Sequence, residues 1–309
     1  MEKPPIFALP FCAFLLCLLL FLTAGCKSRD NSSAQEPPVF SPPRVLVTEA
    51  PGTDTLGQSP LVLDISNISQ GYLTAVSDDN GTQKNLQLSA SDGIVYSYFI
   101  KSGQSAVIPF TSGSGTYQIS CYEQITGSQY AALFAQTLEV SLENEFLPFL
   151  YPNQYVNFTP QSRACRLALA ILPEDATEQE CINSVFDYVT THIMYDKEKA
   201  ATVEAGYLPD IDETMETGKG ICFDYAALMT AMLRSRDIPC KLQIGYAGDI
   251  KHAWIDVYIR GKGWVEHAII FDGEKWNRMD PTFSANSEDE ALTNSYIGNS
   301  ENYTLQFTR

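Results

Sequence analysis

The stretch Gly218-Lys219-Gly220-Ile221-Cys222-Phe223-Asp224-Tyr225-Ala226 decides how the rest of the chain is read. Its glycines interrupt whatever precedes them. From Cys222 onward, apolar residues recur at three- and four-residue spacing through Tyr225, Leu228, Met229, Met232 and Leu233. The spacing predicts a helix that starts at Cys222 and ends near Asp237-Ile238-Pro239. A cysteine on the first turn of a helix faces unpaired backbone N–H groups and the positive end of the macrodipole. That setting favours the thiolate, which is the nucleophilic form. The same N–H groups can hold the oxyanion of an acyl intermediate, and the glycines let a substrate carbonyl come close to the backbone.

Two strands are expected after this helix. Lys241 to Tyr246 is the first. His252 to Ile259 is the second: His252, Trp254, Asp256 and Tyr258 alternate with Ala253, Ile255, Val257 and Ile259. His252 opens that strand, where a sheet edge can present an imidazole to a facing helix. Trp276 to Met279 reads as a short strand ending at Asp280-Pro281-Thr282, where a carboxylate can orient the imidazole. Upstream, Ile182, Val185, Phe186, Val189 and Ile193 mark one apolar helix face, with Thr177 and Glu180 in a capping-box pattern before it. Lys197 to Gly220 reads as a loop broken by Gly206, Pro209, Gly218 and Gly220.

The Cys222 motif, His252-Ala253-Trp254 and Trp276 through Asp280-Pro281-Thr282, in that order, resemble the transglutaminase-like superfamily, a branch of the papain-like cysteine enzymes. Gly206-Tyr207-Leu208-Pro209-Asp210 and the tail Gly298 to Tyr303 also look like bacterial members, so the resemblance spans Thr177 to Arg309. It implies Cys222 as nucleophile, His252 as general base and acid, and Asp280 as orienter, with Trp254 and Tyr207 in substrate binding. The chain departs from the pattern in an additional segment, Trp264 to Phe271, between the histidine strand and the aspartate. Other readings remain open. His267, in that segment, is a rival base. Asp280 can simply begin a turn before Pro281. His192 lies near a helix C-terminus, where the dipole alone accounts for it. A zinc site built on Cys222 and Cys240 lacks any close CxxC or HxxxH pair, so neither metal nor cofactor is expected. The run Glu288-Asp289-Glu290 reads as solvated.

Ahead of this region, residues 45–147 change character. Short β-type runs occur at Val45–Thr48, Leu61–Ile65, Ile94–Ile100, Ala106–Pro109, Gly115–Tyr122 and Gln136–Val140, separated by turn clusters. They suggest an antiparallel sandwich of immunoglobulin-like shape, a spacer or binding module without a single histidine. The expected fold class is α+β: a β-sandwich over 45–147, then a papain-like transglutaminase core over 148–309.

The front of the chain reads as an export signal. Lys3 precedes an apolar run from Ile6 to Leu22, and small residues lead to Cys26. Leu22-Thr23-Ala24-Gly25-Cys26 resembles the bacterial lipobox, with Thr23 where leucine is usual. This implies a signal peptide over 1–25, lipidation of Cys26 and an extracytoplasmic, membrane-anchored body; an uncleaved anchor helix is the other reading. Residues 26–44, rich in proline, read as a tether. The balance of 20 basic against 37 acidic residues repels phosphate backbones, so nucleic acid is not an expected partner. Of eight cysteines, Cys12 and Cys17 fall in the signal. Cys121, Cys165, Cys181 and Cys240 are left between disulfides and buried thiols. The sequence therefore suggests a lipid-anchored acyl-transfer enzyme acting on peptide or protein amides of the cell envelope, hydrolytic rather than cross-linking. The alternative is a catalytically silent binding or scaffolding protein on the same fold.

Overall fold

A computed structural model describes residues 35–271, 276–278 and 303–309, and Gln35–Arg309 forms one compact unit. The signal peptide, Cys26, Asp280, Glu288-Asp289-Glu290 and most of the Gly298 to Tyr303 tail lie outside the described residues.

The first part is built from β1 (Thr55–Gln58), β2 (Leu61–Asp64), β3 (Tyr72–Ser77), β4 (Lys84–Ser89), β5 (Val95–Ile100), β6 (Ser105–Pro109), β7 (Gly115–Thr126) and β8 (Gln129–Val140). They form two antiparallel sheets, ordered β1-β2-β3-β6 and β5-β4-β7-β8. Both sheets contribute to one apolar cluster: Leu61, Leu63, Leu73 and Ile108 from the first, Leu86, Leu88, Tyr98, Tyr117 and Ile119 from the second. The sequence reading differs in detail. Val45–Thr48 is not a strand; Leu46 packs instead with Leu147 and Leu150. Strands β1 and β3 carry no clear alternation, and the alternation of Leu86 and Leu88 in β4 is short. In β3 almost every residue is buried, which erases the period of two. In β4, Lys84 is fully buried, its ammonium held by Asn80 Oδ1 at 2.9 Å, Thr82 Oγ1 at 2.7 Å, the Thr82 carbonyl at 2.9 Å and Glu123 at 3.3 Å.

The second part contains α1 (Arg163–Ala170), α2 (Glu178–His192), β9 (Met194–Tyr195), α3 (Lys197–Thr202), α4 (Ile211–Thr217), β10 (Lys219–Gly220) and α5 (Cys222–Arg234). It continues with β11 (Cys240–Ala247), β12 (Ile250–Ile259), β13 (Gly263–Phe271), β14 (Trp276–Arg278) and β15 (Tyr303–Thr308). The last five strands make an antiparallel sheet ordered β14-β13-β12-β11-β15. The architecture is thus mixed, with helices set against antiparallel sheet.

The capping box of α2 is formed as its sequence suggests: Thr177 Oγ1 accepts the Glu180 N–H at 3.2 Å, and Glu180 Oε2 accepts the Thr177 N–H at 2.8 Å. One expectation is corrected. The loop expected over 197–220 holds α3 and α4, whose N-termini are capped by Asp196 and Asp210. Helices this short lack enough turns for an apolar period to show. The additional segment Trp264 to Phe271 is strand β13, which extends the sheet beside β12.

Helix α5 packs on this sheet with Leu242, Ile244, Ala253, Ile255, Val257 and Ile259, and α2 covers it with Ile182, Val185 and Val189. Every residue of α5 from Asp224 to Arg234 is buried. At its end, the fully buried Arg234 donates to the carbonyls of Cys240 at 3.0 and 2.8 Å, Tyr151 at 2.7 Å and Arg309 at 3.0 Å. Burial pushes its guanidinium down to about 10. Arg309, also buried, lies against the rings of Tyr96, Tyr98, Tyr155 and Phe307 at 4.3 to 5.0 Å and donates to Tyr98 Oη at 3.0 Å.

The described part of the proposed tether, 35–44, is laid along the body rather than free. Asn144 Nδ2 donates to the Glu36 carbonyl at 2.9 Å, Arg260 Nη2 donates to the Pro38 carbonyl at 3.2 Å, and the Asp237 carboxylate accepts the backbone N–H groups of Arg44 and Phe40. Proline-rich chain cannot join a sheet ladder, yet its carbonyls remain good acceptors for side-chain donors.

Replacing Arg234 with Met should remove the guanidinium donors from three carbonyls at once; among the described residues only that of Arg309 keeps another donor, the Leu242 N–H. Chemical unfolding should show a loss of about 3 kcal/mol or more; a change within experimental error would show that Arg234 does not hold these segments together.

Candidate active site

The backbone places Cys222 before any side chain does. Gly218 ends α4 in the left-handed region, at φ 62°, where glycine carries no Cβ penalty. Tyr195 on β9 pairs in register with Gly220 on β10, and the Asp196 N–H donates to the Gly220 carbonyl at 2.9 Å. A Cβ on Gly220 would lie 2.7 Å from Asp224 Cβ, so the chain can turn into α5 there only with glycine. Ile221 is the N-cap; its N–H donates to Asp224 Oδ2 at 2.8 Å. The start of α5 is therefore fixed by a carboxylate from within its own first turn.

The backbone N–H groups of Ala253, Phe223 and Cys222 itself lie near the Cys222 sulfur and favour its thiolate. The start of α5 and the fourth residue of β12 thus come together; β12 begins at Ile250, so His252 is its third residue, where the sequence reading makes it the first. The sequence predicts a thiol lowered by the helix terminus. The surroundings act in the opposite direction: burial pushes the thiol up, Asp224 adds to this, and the three N–H groups only oppose it.

His252 is 7% exposed and pairs in register with Gly245 of β11. Its ring stacks on Trp254, centroids 6.4 Å apart at 20°, and lies 6.5 Å from Tyr303. A Cβ on Gly245 would sit 2.1 Å from the Thr304 carbonyl oxygen and 2.9 Å from Trp254 Cη2. That glycine lets β15 and the indole close in beside the imidazole. Among the described residues, His252 Nε2 is buried without a hydrogen-bond partner. Burial lowers the imidazole to about 4.

The structure sets the Ala253 backbone, next to His252 in the chain, at Cys222 and leaves Asp280 outside the described residues; β14, which precedes it, is the edge strand beyond β13. Trp254 is 2% exposed, so it braces His252 from behind. Tyr207 is engaged inside the protein: its hydroxyl donates to Asp224 Oδ1 and accepts from Lys199 Nζ at 2.6 Å, while its ring meets Phe223 edge-on. His192 Nδ1 lies 2.8 Å from the Tyr188 carbonyl, and the two rings stack. His267 lies on β13, and its side chain is outside what is described. Cys121, Cys165, Cys181 and Cys240 are buried free thiols, and burial raises all four. Among the described residues no cluster of three or more His, Cys, Asp or Glu stands together as metal ligands.

Sequence reasoning missed Asp224, Lys199 and Gly245. Asp224 had a local signal, an acid three residues after the N-cap. Lys199 and Gly245 had none, since their partners are distant in sequence.

Residues 166–281 match the family model of the transglutaminase-like superfamily. Two solved structures are similar in part. One is a proposed cysteine protease from Cytophaga hutchinsonii, 15% identical over 77% of this chain and 78% of that one, with a TM-score of 0.39. The other is a proposed protease from Parabacteroides distasonis, 12% identical over 68% of this chain and 61% of that one, with a TM-score of 0.29. No curated protein sequence matches the chain.

A raised thiol and a lowered imidazole leave both groups neutral at rest. Alkylation of Cys222 by iodoacetamide should therefore keep climbing as pH rises through the mildly alkaline range. A rate that levels off from about pH 5 would instead reveal a preformed thiolate–imidazolium pair.

Proposed function

We propose that this transglutaminase-like domain carries out acyl transfer on peptide or protein amides, with Cys222 as the nucleophile. The observation that carries the reading is the junction itself: a cysteine on the first turn of a buried helix, its sulfur near the Ala253 N–H, with the preceding residue in the chain, His252, holding a buried Nε2 that has no partner among the described residues. In this mechanism the Cys222 sulfur attacks the amide carbonyl while His252 takes the thiol proton. Because the resting pair is neutral, proton transfer accompanies attack rather than preceding it. N–H groups at the start of α5 receive the oxyanion, and His252 then gives its proton to the leaving amine. Asp280 is assigned to hold the imidazolium, a charge that the buried site disfavours on its own. The chemistry uses side chains and backbone alone.

Water is the proposed acceptor, which makes the enzyme a peptidase or amidase; an amine acceptor would make it a cross-linking transglutaminase. The two front sheets are read as a β-sandwich that spaces or presents the catalytic part. Lipidation at Cys26 would hold the protein on the outer side of a bacterial membrane, next to envelope peptides and proteins.

One observation favours a second reading. The raised thiol and lowered imidazole are also what a catalytically silent scaffold on this fold would show.

The deciding experiment is a peptide-library assay on residues 27–309 that scores hydrolysis against incorporation of an added amine. Hydrolysis should dominate. Cys222→Ala should abolish turnover, and His252→Ala should lower it by about 10²- to 10⁴-fold. Fresh, reduced protein that turns over no amide from mildly acidic to mildly alkaline pH would leave the scaffold reading standing.

A further inference from the structure

Asp224 is fully buried and lies two residues after Cys222 on the same helical turn. It holds the helix start by accepting the Ile221 N–H, and it also accepts the Tyr207 hydroxyl. A carboxylate at this depth presents a difficulty to the proposed chemistry. Its negative charge disfavours a second negative charge on the nearby sulfur, and low-dielectric surroundings screen it poorly. The N–H and phenol donors supply dipoles. A full positive charge comes from α3: Lys199 Nζ lies 2.8 Å from Asp224 Oδ2. The same ammonium donates to Tyr207 Oη at 2.6 Å and sits over the tyrosine ring, 4.5 Å from its centroid. Lys199 is thus fixed by three contacts, although its side chain is 28% exposed.

We infer that Lys199 is a positioning residue for Cys222: by neutralising the buried Asp224 carboxylate, it lets that group anchor the helix start without repelling charge on the sulfur. The inference rests on Cys222 being the nucleophile. The titratable groups that interact with the sulfur among the described residues are Asp224 from α5 and Tyr195 from β9; Lys199 and Tyr207 act through Asp224. Tyr207, pushed up to about 12 by burial and by its bond to Asp224, stays neutral and cannot replace the lysine charge.

The test is the pH profile of iodoacetamide alkylation at Cys222, located by peptide mapping. Lys199→Met should move the profile to higher pH by about half a unit or more, a roughly threefold slower reaction at neutral pH. Lys199→Arg should restore it. Asp224→Asn, which keeps an acceptor for the Ile221 N–H, should move it to lower pH. If Lys199→Met fails to fold by circular dichroism, the Asp224→Asn direction decides. Profiles that coincide with the unsubstituted protein, or shifts of the opposite sign, overturn the inference while leaving Cys222 as nucleophile. An unsubstituted protein whose Cys222 is never alkylated overturns both.

Discussion

A helix buried from its third residue to its end needs protein partners for most of its terminal N–H and C=O groups, because little water reaches them. At the N-terminus of α5 the Asp224 side chain accepts the Ile221 N–H, and at its C-terminus the backbone N–H groups of Ser235, Arg236, Asp237 and Ile238 take the last carbonyls. Arg234, in the last turn, carries the sign that the macrodipole favours there and donates to carbonyls of other segments. Asp224 and Arg234 also recruit the surrounding chain. Through Asp224, the start of α5 is tied to Tyr207 and to α3. Through Arg234, its end is tied to the first turn of β11, to Tyr151 in the link from the front sheets, and to the carbonyl of Arg309. The layout of the second part follows from satisfying one buried helix.

The same burial sets the electrical character of the site. It raises the thiol and lowers the imidazole, so charge separation between them has to be supported by oriented donors rather than by solvent. The aromatic packing of Trp254 and Tyr303 beside His252 excludes water and fixes the ring plane. Rigidity and a neutral resting pair therefore have one cause.

Much of this was legible from local pattern. The start of α5, the capping box of α2 and the alternation along β12 are encoded within a few residues, and each formed as its spacing suggests. What sequence could not show depends on distant partners. Leu46 looks like part of a strand until Leu147 and Leu150 cover it. Asp196 and Asp210 look like loop residues until each caps a short helix. The thiol was misread for the same reason: a helix terminus can be recognised from sequence, but the depth at which it is buried cannot.

Arg309 reaches Tyr98 across 211 residues, and β15 joins the sheet beside β11, far from its sequence neighbours. Closure of the aromatic cage is therefore a high-contact-order event that waits until both the front sheets and the last strand exist. Before that moment Tyr96, Tyr98, Tyr155 and the open edge of β11 are exposed together. A chain held at that stage would present these aromatic rings and an unpaired strand edge to other chains.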